Sequence, residues 1–229
     1  MSEWREIDGL EDLLEATCTQ SNGWPLRAVA LRLADRSFIV FSPLPRQDAV
    51  ASLAKRGPVT GVVLPNKYHY LGVSAILESF PHVAIVGDDA TRKRMTRKRL
   101  TVRPLDSISL PEDVEILRPP GLKNGEIWLS HRRRGGIWIV GDAFFSLNST
   151  PGGMTGALLR FTKTAPGLRI GKTWNWMAVK NWEPYRSWLE EKLRDEAPRV
   201  LVPAHGEIVQ DDDLASRLLY ALSKPGAAA

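Results

Sequence analysis

Residues 62–72 read Val62-Val63-Leu64-Pro65-Asn66-Lys67-Tyr68-His69-Tyr70-Leu71-Gly72. A run of apolar residues that favour β-structure ends at a proline, a residue suited to capping a helix follows, and a periodic segment begins. The pattern predicts a strand that runs directly into a helix N-terminus, where backbone N–H groups and side chains converge. His69 lies at this junction, which makes the junction a candidate metal site.

The composition is typical of a soluble globular protein. The chain has 229 residues, of which 43% are hydrophobic and 25% are charged, and this length suits one large domain. No apolar run approaches the ~20 residues that cross a bilayer, and the N-terminus has no signal-peptide pattern. The single cysteine, Cys18, excludes an internal disulfide and a Cys-rich zinc site. We therefore expect a cytoplasmic protein without a membrane partner.

The net charge of +5 arises largely from two basic clusters, within residues 92–99 and 132–134. Such clusters could contact phosphate or another anionic partner. No aromatic residue is interleaved with either cluster, and this favours a solvated helix face and a basic turn. Nucleic acid is therefore not the expected partner.

Hydrophobic patterning predicts a single mixed α/β domain spanning residues 1–229. The predicted strands are 26–33 and 37–43, which form a hairpin, and 59–64, 83–87, 126–131, 136–140 and 199–203. The predicted helices are 10–17, 48–56, 73–80, 91–99, 183–194 and 213–223. The first of these helices belongs to a peripheral N-terminal segment, residues 1–25, and we expect the tail, residues 224–229, to fray.

Polar residues follow three of these strands. They occur in Pro65-Asn66 through His69, in Val140-Gly141-Asp142 and in Pro203-Ala204-His205-Gly206. This ordered set, together with Ser42-Pro43 at the exit of the hairpin, resembles the metallo-β-lactamase fold superfamily, in particular a little-characterised bacterial and plant branch. The resemblance covers roughly residues 26–222. It implies a four-layer αββα sandwich with metal ligands gathered along one edge.

The metal-binding motif implied by the resemblance is degenerate. If Asn66 takes the place of the first histidine of the family's His-x-His-x-Asp-His loop, Tyr68, Tyr70 and Leu71 take the places of later ligands. A second register starts at Lys67 and retains His69 as a ligand. Downstream, Leu122 stands where the family has another histidine, whereas Asp142 and His205 are in register. We assign Asn66, Tyr68, Tyr70 and Leu122 to the pocket.

The number and type of metal ligands in the sequence limit the kind of metal site that the chain can form. A dinuclear zinc hydrolase needs about six nitrogen and oxygen ligands, and this chain does not supply them. A single zinc or iron ion on His69, Asp142 and His205 remains an option, as does a site without metal. In the metal-free alternative Asn66 caps a helix, and His205 is linked to Asp142 by a hydrogen bond. The other two histidines, His82 and His131, are expected at the surface.

Three functions follow from these alternatives. The first is a protein of this fold that has lost dinuclear hydrolysis and binds a small ligand or a protein partner. The second is a mononuclear metal-dependent hydrolase acting on an ester- or thioester-type substrate, with Asp142 as a ligand or an orienting base. The third and weakest is a nucleic-acid-associated protein that uses the basic helix 91–99.

Four tryptophans are concentrated in a short segment: Trp174, Trp176, Trp182 and Trp188. They indicate either a lid or a homo-oligomer contact, since exposed tryptophan is enriched at interfaces. The alternative is that Trp182 and Trp188, which share a helix face, belong to the core.

Overall fold

The computed structural model describes residues 3–21, 23–148, 167–170 and 172–223, together with residues 153, 156, 157 and 161. The tail that is predicted to fray lies outside these residues. The chain divides into two compact units, and each is described by itself. Unit 1 comprises residues 1–18 and 26–111, and unit 2 comprises residues 19–25 and 112–229.

Unit 1 is built on a six-stranded sheet whose strand order follows the sequence. Its strands are β1 (Arg5–Ile7), β2 (Leu10–Thr19), β3 (Pro25–Arg32), β4 (Phe38–Phe41), β5 (Val59–Val63) and β6 (Ala84–Val86). The β3–β4 pair is the predicted antiparallel hairpin. Strands β4, β5 and β6 are parallel, and Val63 pairs with Val86. The carboxyl ends of β5 and β6 therefore lie side by side.

The described residues of unit 1 form three helices, of which the first two connect its parallel strands and the third follows the last strand. They are α1 (Gln47–Ala54), α2 (Val73–Ser79) and α3 (Asp89–Arg97), followed by a 3-10 turn at Leu105–Ser107. The apolar residues of α1 and α2 pack on the sheet in a core that includes Leu53, Val73 and Ile76. Asp88 caps the basic helix α3, because its carboxylate accepts the Ala90 N–H at 2.9 Å.

Unit 2 contains a five-stranded sheet and a two-stranded sheet. The strands are β7 (Val114–Leu117), β8 (Trp128–His131), β9 (Ile137–Val140), β10 (Phe145–Leu147), β11 (Gly167–Arg169), β12 (Val200–Pro203) and β13 (Val209–Gln210). The larger sheet has the order β13-β12-β9-β8-β7, and β10 pairs with β11. Strands β9 and β12 are parallel, with Val140 opposite Pro203. Asp142 lies two residues after Val140, and His205 lies two residues after Pro203.

The helices of unit 2 include α4 (Lys172–Ala178), α5 (Trp182–Glu196) and α6 (Leu214–Ser223), and a 3-10 turn lies at Arg133–Gly135. Helix α5 buries Tyr185, Leu189 and Leu193, and α6 buries Leu214 and Leu218, in one hydrophobic core. These buried residues are spaced four positions apart within each helix, as expected for the apolar face of an amphipathic helix.

The structure overturns three sequence predictions. Residues 10–17 are not a peripheral helix, because they lie in strand β2, where Leu13 and Leu14 are fully buried. Asn66 does not cap α2, which begins at Val73 after a series of turns. His131 is not at the surface, because it ends strand β8 and is 2% exposed.

The other predicted strands and helices are present, with bounds shifted by at most two residues. The mixed sheets with covering helices confirm the predicted α/β class. Within the residues that the structure describes, none of the helices combines the length and the apolar character needed to span a membrane.

Candidate functional site

The histidine of unit 1 is fixed by the exit of the β3–β4 hairpin. His69 lies in the turn after β5, is 8% exposed, and places Nδ1 2.8 Å from the hydroxyl of Ser42. Ser42 is 1% exposed and has a φ of 58°, the left-handed region that serine rarely occupies. Such backbone strain persists where the surrounding structure imposes it. The other ring nitrogen, Nε2, is the atom with which His69 would ligate a metal.

Asn66 stabilises the same turn. Its side chain is fully buried, and Oδ1 accepts the Tyr68 N–H at 2.8 Å, while its carbonyl accepts the His69 N–H at 3.3 Å. This is an Asx turn, the local bond that asparagine offers when helix geometry is absent. Asn66 therefore shapes the turn that carries His69.

The two tyrosines that flank His69 contact the basic helix α3. The guanidinium of Arg94 lies 5.1 Å from the ring centre of Tyr68 and 5.7 Å from that of Tyr70. Hydrogen bonds from Lys98 and then Arg94 lower the pKa of Tyr70, although burial opposes them. Tyr68 and Tyr70, expected in the pocket, are thus brought together around a cation.

In unit 2, the carboxyl ends of β9 and β12 bring Asp142 and His205 together. Nε2 of His205 lies 2.9 Å from Oδ1 of Asp142, as the metal-free alternative for this pair predicts. The parallel register explains the contact, since the two residues occupy equivalent positions beyond neighbouring strands. His205 is 4% exposed, and its ring lies against two aromatic rings, stacked on Phe145 at 5.8 Å and edge-on to Trp24 at 5.2 Å.

Both ring nitrogens of His205 face oxygen acceptors. Nδ1 lies 2.6 Å from the carbonyl oxygen of Pro25, which can only accept, so Nδ1 carries the proton of the neutral ring. Nε2 and Oδ1 of Asp142 then face each other, and either a shared proton or a metal ion can lie between them. The donor pair Nε2 and Oδ1 therefore fits a metal ion.

A buried carboxylate holds Asp142 in place. Oε1 of Glu126 accepts the backbone N–H of Asp142 at 2.8 Å, and Oε2 accepts the side-chain N–H of Asn124 at 3.1 Å. Glu126 and Asn124 are 3% and 1% exposed. Outer contacts of this kind orient metal ligands and are costly to remove.

The sequence did not reveal four of the residues that position the site: Trp24, Pro25, Ser42 and Glu126. Their contacts join segments far apart in sequence, and a motif search has no access to such contacts. A partial signal existed for Glu126, an acidic residue at the start of an otherwise apolar strand pattern.

Leu122 does not join the polar residues of unit 2. It forms a β-bridge with Val179 and packs against the hydrophobic core of that unit. A leucine has no ligand atom, and here its side chain contributes to packing.

The solved structures with a similar fold are metallo-β-lactamases. One from Pontibacter korlensis is 14% identical with a TM-score of 0.65, and the match covers 98% of this chain and 100% of that one. The DIM-1 metallo-β-lactamase is 13% identical with a TM-score of 0.65, over 96% and 97% of the two chains. The chain has the metallo-β-lactamase fold.

A third solved structure of this fold is FIM-1 from Pseudomonas aeruginosa in its mono-zinc form. It is 12% identical with a TM-score of 0.64, and the match covers 97% of this chain and 95% of that one. No protein-family profile matches the sequence, and no curated protein matches it. At such low identity the metallo-β-lactamase fold carries no statement about substrate or reaction.

Three of the four clustered tryptophans belong to the core of unit 2. Trp174 is 5% exposed, and Trp182 and Trp188 pack against the same hydrophobic cluster. Trp176 is 79% exposed. The core interpretation of Trp182 and Trp188 is therefore confirmed, and an oligomer contact in this region stays a prediction.

Proposed function

We propose that the chain binds a single zinc or iron(II) ion through His69, Asp142 and His205 and hydrolyses an ester- or thioester-type substrate. The observation that carries the proposal is the His205–Asp142 pair, in which Nε2 and Oδ1 lie 2.9 Å apart and can both serve as metal ligands. The three side chains offer two imidazole nitrogens and one carboxylate oxygen. That donor set suits zinc and iron(II) and leaves a coordination position open.

The chain's own residues have distinct roles in this proposal. Pro25 fixes the tautomer of His205, Ser42 restrains the ring of His69, and Glu126 holds the backbone of Asp142. A bound ion would polarise a substrate carbonyl and lower the pKa of a water molecule, which is the chemistry that ester hydrolysis requires. The mono-zinc form of FIM-1 supports the capacity of this fold to hold one ion.

A second candidate function is binding without hydrolysis. It is favoured by Leu122 and by the tyrosines 68 and 70, which take the places of ligands in the family's motif. Leu122 packs in a hydrophobic core, and the tyrosines contact α3. A site that lacks these ligands could retain an ion and a pocket for a small ligand or a protein partner.

Elemental analysis of the full chain, purified without chelators, tests metal binding. We expect about one equivalent of zinc or iron. His205→Ala should lose the ion, and Asp142→Asn, which preserves side-chain shape, should weaken its retention. His82→Ala is the matched control, because His82 is exposed. A wild-type chain that stays metal-free after incubation with zinc and with iron(II) would overturn the proposal.

Hydrolysis is tested separately with ester and thioester probes. Activity that requires the metal and disappears in Asp142→Asn supports the hydrolase. A metal-loaded chain that hydrolyses none of the probes supports the binding function instead. The melting temperature of each variant, measured alongside, distinguishes loss of the site from loss of the fold.

A further inference from the structure

The turn after β5 and the basic helix α3 form one surface of unit 1. Because β5 and β6 are parallel neighbours, their carboxyl ends are adjacent, and α3 begins three residues after β6. This topology brings Tyr68 and Tyr70 against Arg94 and Lys98. No aromatic residue is interleaved with the basic cluster in the sequence, but the fold brings these two tyrosines to it. Tyr68 and Tyr70 precede Arg94 by 26 and 24 residues.

Two cations at the C-terminal end of α3 lie over the aromatic rings, in addition to Lys67, whose Nζ lies 5.3 Å from the centre of the Tyr68 ring. Arg94 lies over both tyrosine rings, and Nζ of Lys98 lies 4.7 Å from the centre of the Tyr70 ring. Each contact is a cation–π interaction, which favours a positively charged group over the face of a ring. Arg94 and Lys98 are one helical turn apart, so their charges repel each other across the same face.

No acidic side chain among the described residues forms an ion pair with Arg94 or Lys98. The acidic residue at the start of α3, Asp89, pairs with Arg92 at 2.8 Å. Nε of Arg94 is buried and has no hydrogen-bond partner among the residues that the structure describes. Arg94 and Lys98 are therefore two neighbouring cations without an acidic partner among the described residues, and Arg94 has an unused N–H donor. An anion-binding site requires such a group of donors.

We propose that Arg94, Lys98 and Tyr70 bind a phosphate group. The guanidinium presents a planar fork of N–H donors, and the ammonium adds up to three more. The Tyr70 ring lies beside both cations, and its hydroxyl can donate a proton to an anion. Phosphate offers more acceptor oxygens than a carboxylate, so it satisfies donors from three side chains at once.

The phosphate group can belong to a phosphate ester in solution or to a nucleic-acid backbone. The site described here serves either source, and basic residues that continue along α3, such as Lys93 and Arg97, would add contacts only to a long polyanion. The site is separate from the proposed metal chemistry. It is expected to persist in His205→Ala, so the two proposals can fail independently.

Two double variants of the full chain test the site at equal net charge. Arg94→Gln with Lys98→Gln removes the two cations held by the rings. Lys93→Gln with Arg97→Gln removes two cations from the same helix, neither of which lies over a tyrosine ring. Binding of inorganic phosphate, of a phosphate monoester and of a single-stranded oligonucleotide is measured by calorimetry at constant ionic strength.

We expect the first variant to bind phosphate at least about tenfold more weakly and the second to stay within about twofold of wild type. Tight binding of the two small probes identifies a phosphate ester as the source. Binding of the oligonucleotide alone, again weakened more by the first variant, identifies a nucleic-acid backbone. Equal loss in the two variants would reduce the effect to net charge and overturn the site, as would a wild-type chain that binds none of the probes.

Discussion

The turn after β5 and the ends of β9 and β12 occupy corresponding places in their units, yet they differ in what they retain. The turn holds one histidine, and its other side chains cap the turn or contact α3. The strand ends keep an aspartate and a histidine in contact, with a buried carboxylate behind them. The two regions therefore occupy similar places after the strands of their sheets but differ in the ligand atoms that they offer.

The difference shows which residues each region needs for folding. In the turn, the buried residue is Asn66, which forms a local bond, so the ligand positions beside it are free to change type. At the strand ends, His205 is enclosed by two aromatic rings and bonded through both nitrogens. Replacing His205 would leave buried polar partners behind, which is costly.

The largest expected effect tests whether both regions depend on close backbone contacts. A Cβ at Gly206 would lie 2.0 Å from the Ser146 carbonyl oxygen, and the residue has a φ of 99°. A Cβ at Gly72 would lie 2.3 Å from the Pro43 carbonyl oxygen. We expect Gly206→Ala to cost at least about 3 kcal/mol of unfolding free energy, and Gly72→Ala slightly less because its φ is ordinary.

Gly153→Ala is the control for the glycine variants. Gly153 has a φ of 69° with no atom within 4 Å of an added Cβ, so it isolates the backbone cost of about 1 kcal/mol. Chemical denaturation of the three variants measures the differences. Equal losses at Gly153 and Gly206 would show that steric contact with Ser146 is unimportant.

The second prediction concerns the turn alone. Asn66→Ala removes the acceptor for the Tyr68 N–H from a fully buried position, and we expect a loss of about 2 kcal/mol in unfolding free energy. Asn181→Ala is the matched control, because Asn181 is exposed and makes no capping bond at the start of α5. It should change stability by no more than about 0.5 kcal/mol. A negligible effect of Asn66→Ala would mean that the turn does not need its Asx bond.

The smallest of these effects concerns Glu196, a carboxylate of unit 2 that is hydrogen-bonded to Ser130 of β8 and Trp138 of β9. Burial would raise the pKa of Glu196, but hydrogen bonds from Ser130, Trp138 and Lys192 outweigh it and lower the pKa below its ordinary value of 4.5. A carboxylate with a lowered pKa stabilises the folded state above pH 4.5, and the contribution disappears as the pH falls through the folded-state pKa.

Glu196→Gln should therefore lower the unfolding free energy by about 1 kcal/mol near neutral pH and by less as the solution becomes acidic. Thermal unfolding of both proteins across this range measures the gap. Glu191→Gln, which removes a charge from the exposed face of α5, should show no comparable gap. A gap for Glu196→Gln that stays constant down to strongly acidic pH would show that ionisation of Glu196 does not contribute.

The sequence was sufficient to predict elements with clear boundaries. Strands β5 and β12 are short apolar runs that end at proline-containing segments, and helix α5 has a complete apolar stripe. The contact between Asp142 and His205 was expected as one of two alternatives, and the parallel register of β9 and β12 accounts for it. Each of these features depends on local pattern or on topology that the pattern implies.

Features that depend on tertiary context could not be predicted in the same way. Residues 10–19 include Leu, Glu and Ala, which favour helices, but burial within a sheet outweighs this preference. Strand β7 has four residues within a proline-punctuated segment, too few for a periodic signal. The contact of Ser42 with His69 joins residues 27 positions apart, and no sequence spacing specifies it.

The left-handed conformation of Ser42 sets stability against function at one residue. Glycine would adopt a φ of 58° without strain, so Ser42→Gly is expected to recover about 1 kcal/mol of backbone energy. The same change removes the hydroxyl that restrains Nδ1 of His69. A chain selected only for thermostability would favour glycine here, whereas selection for an oriented His69 ring maintains serine.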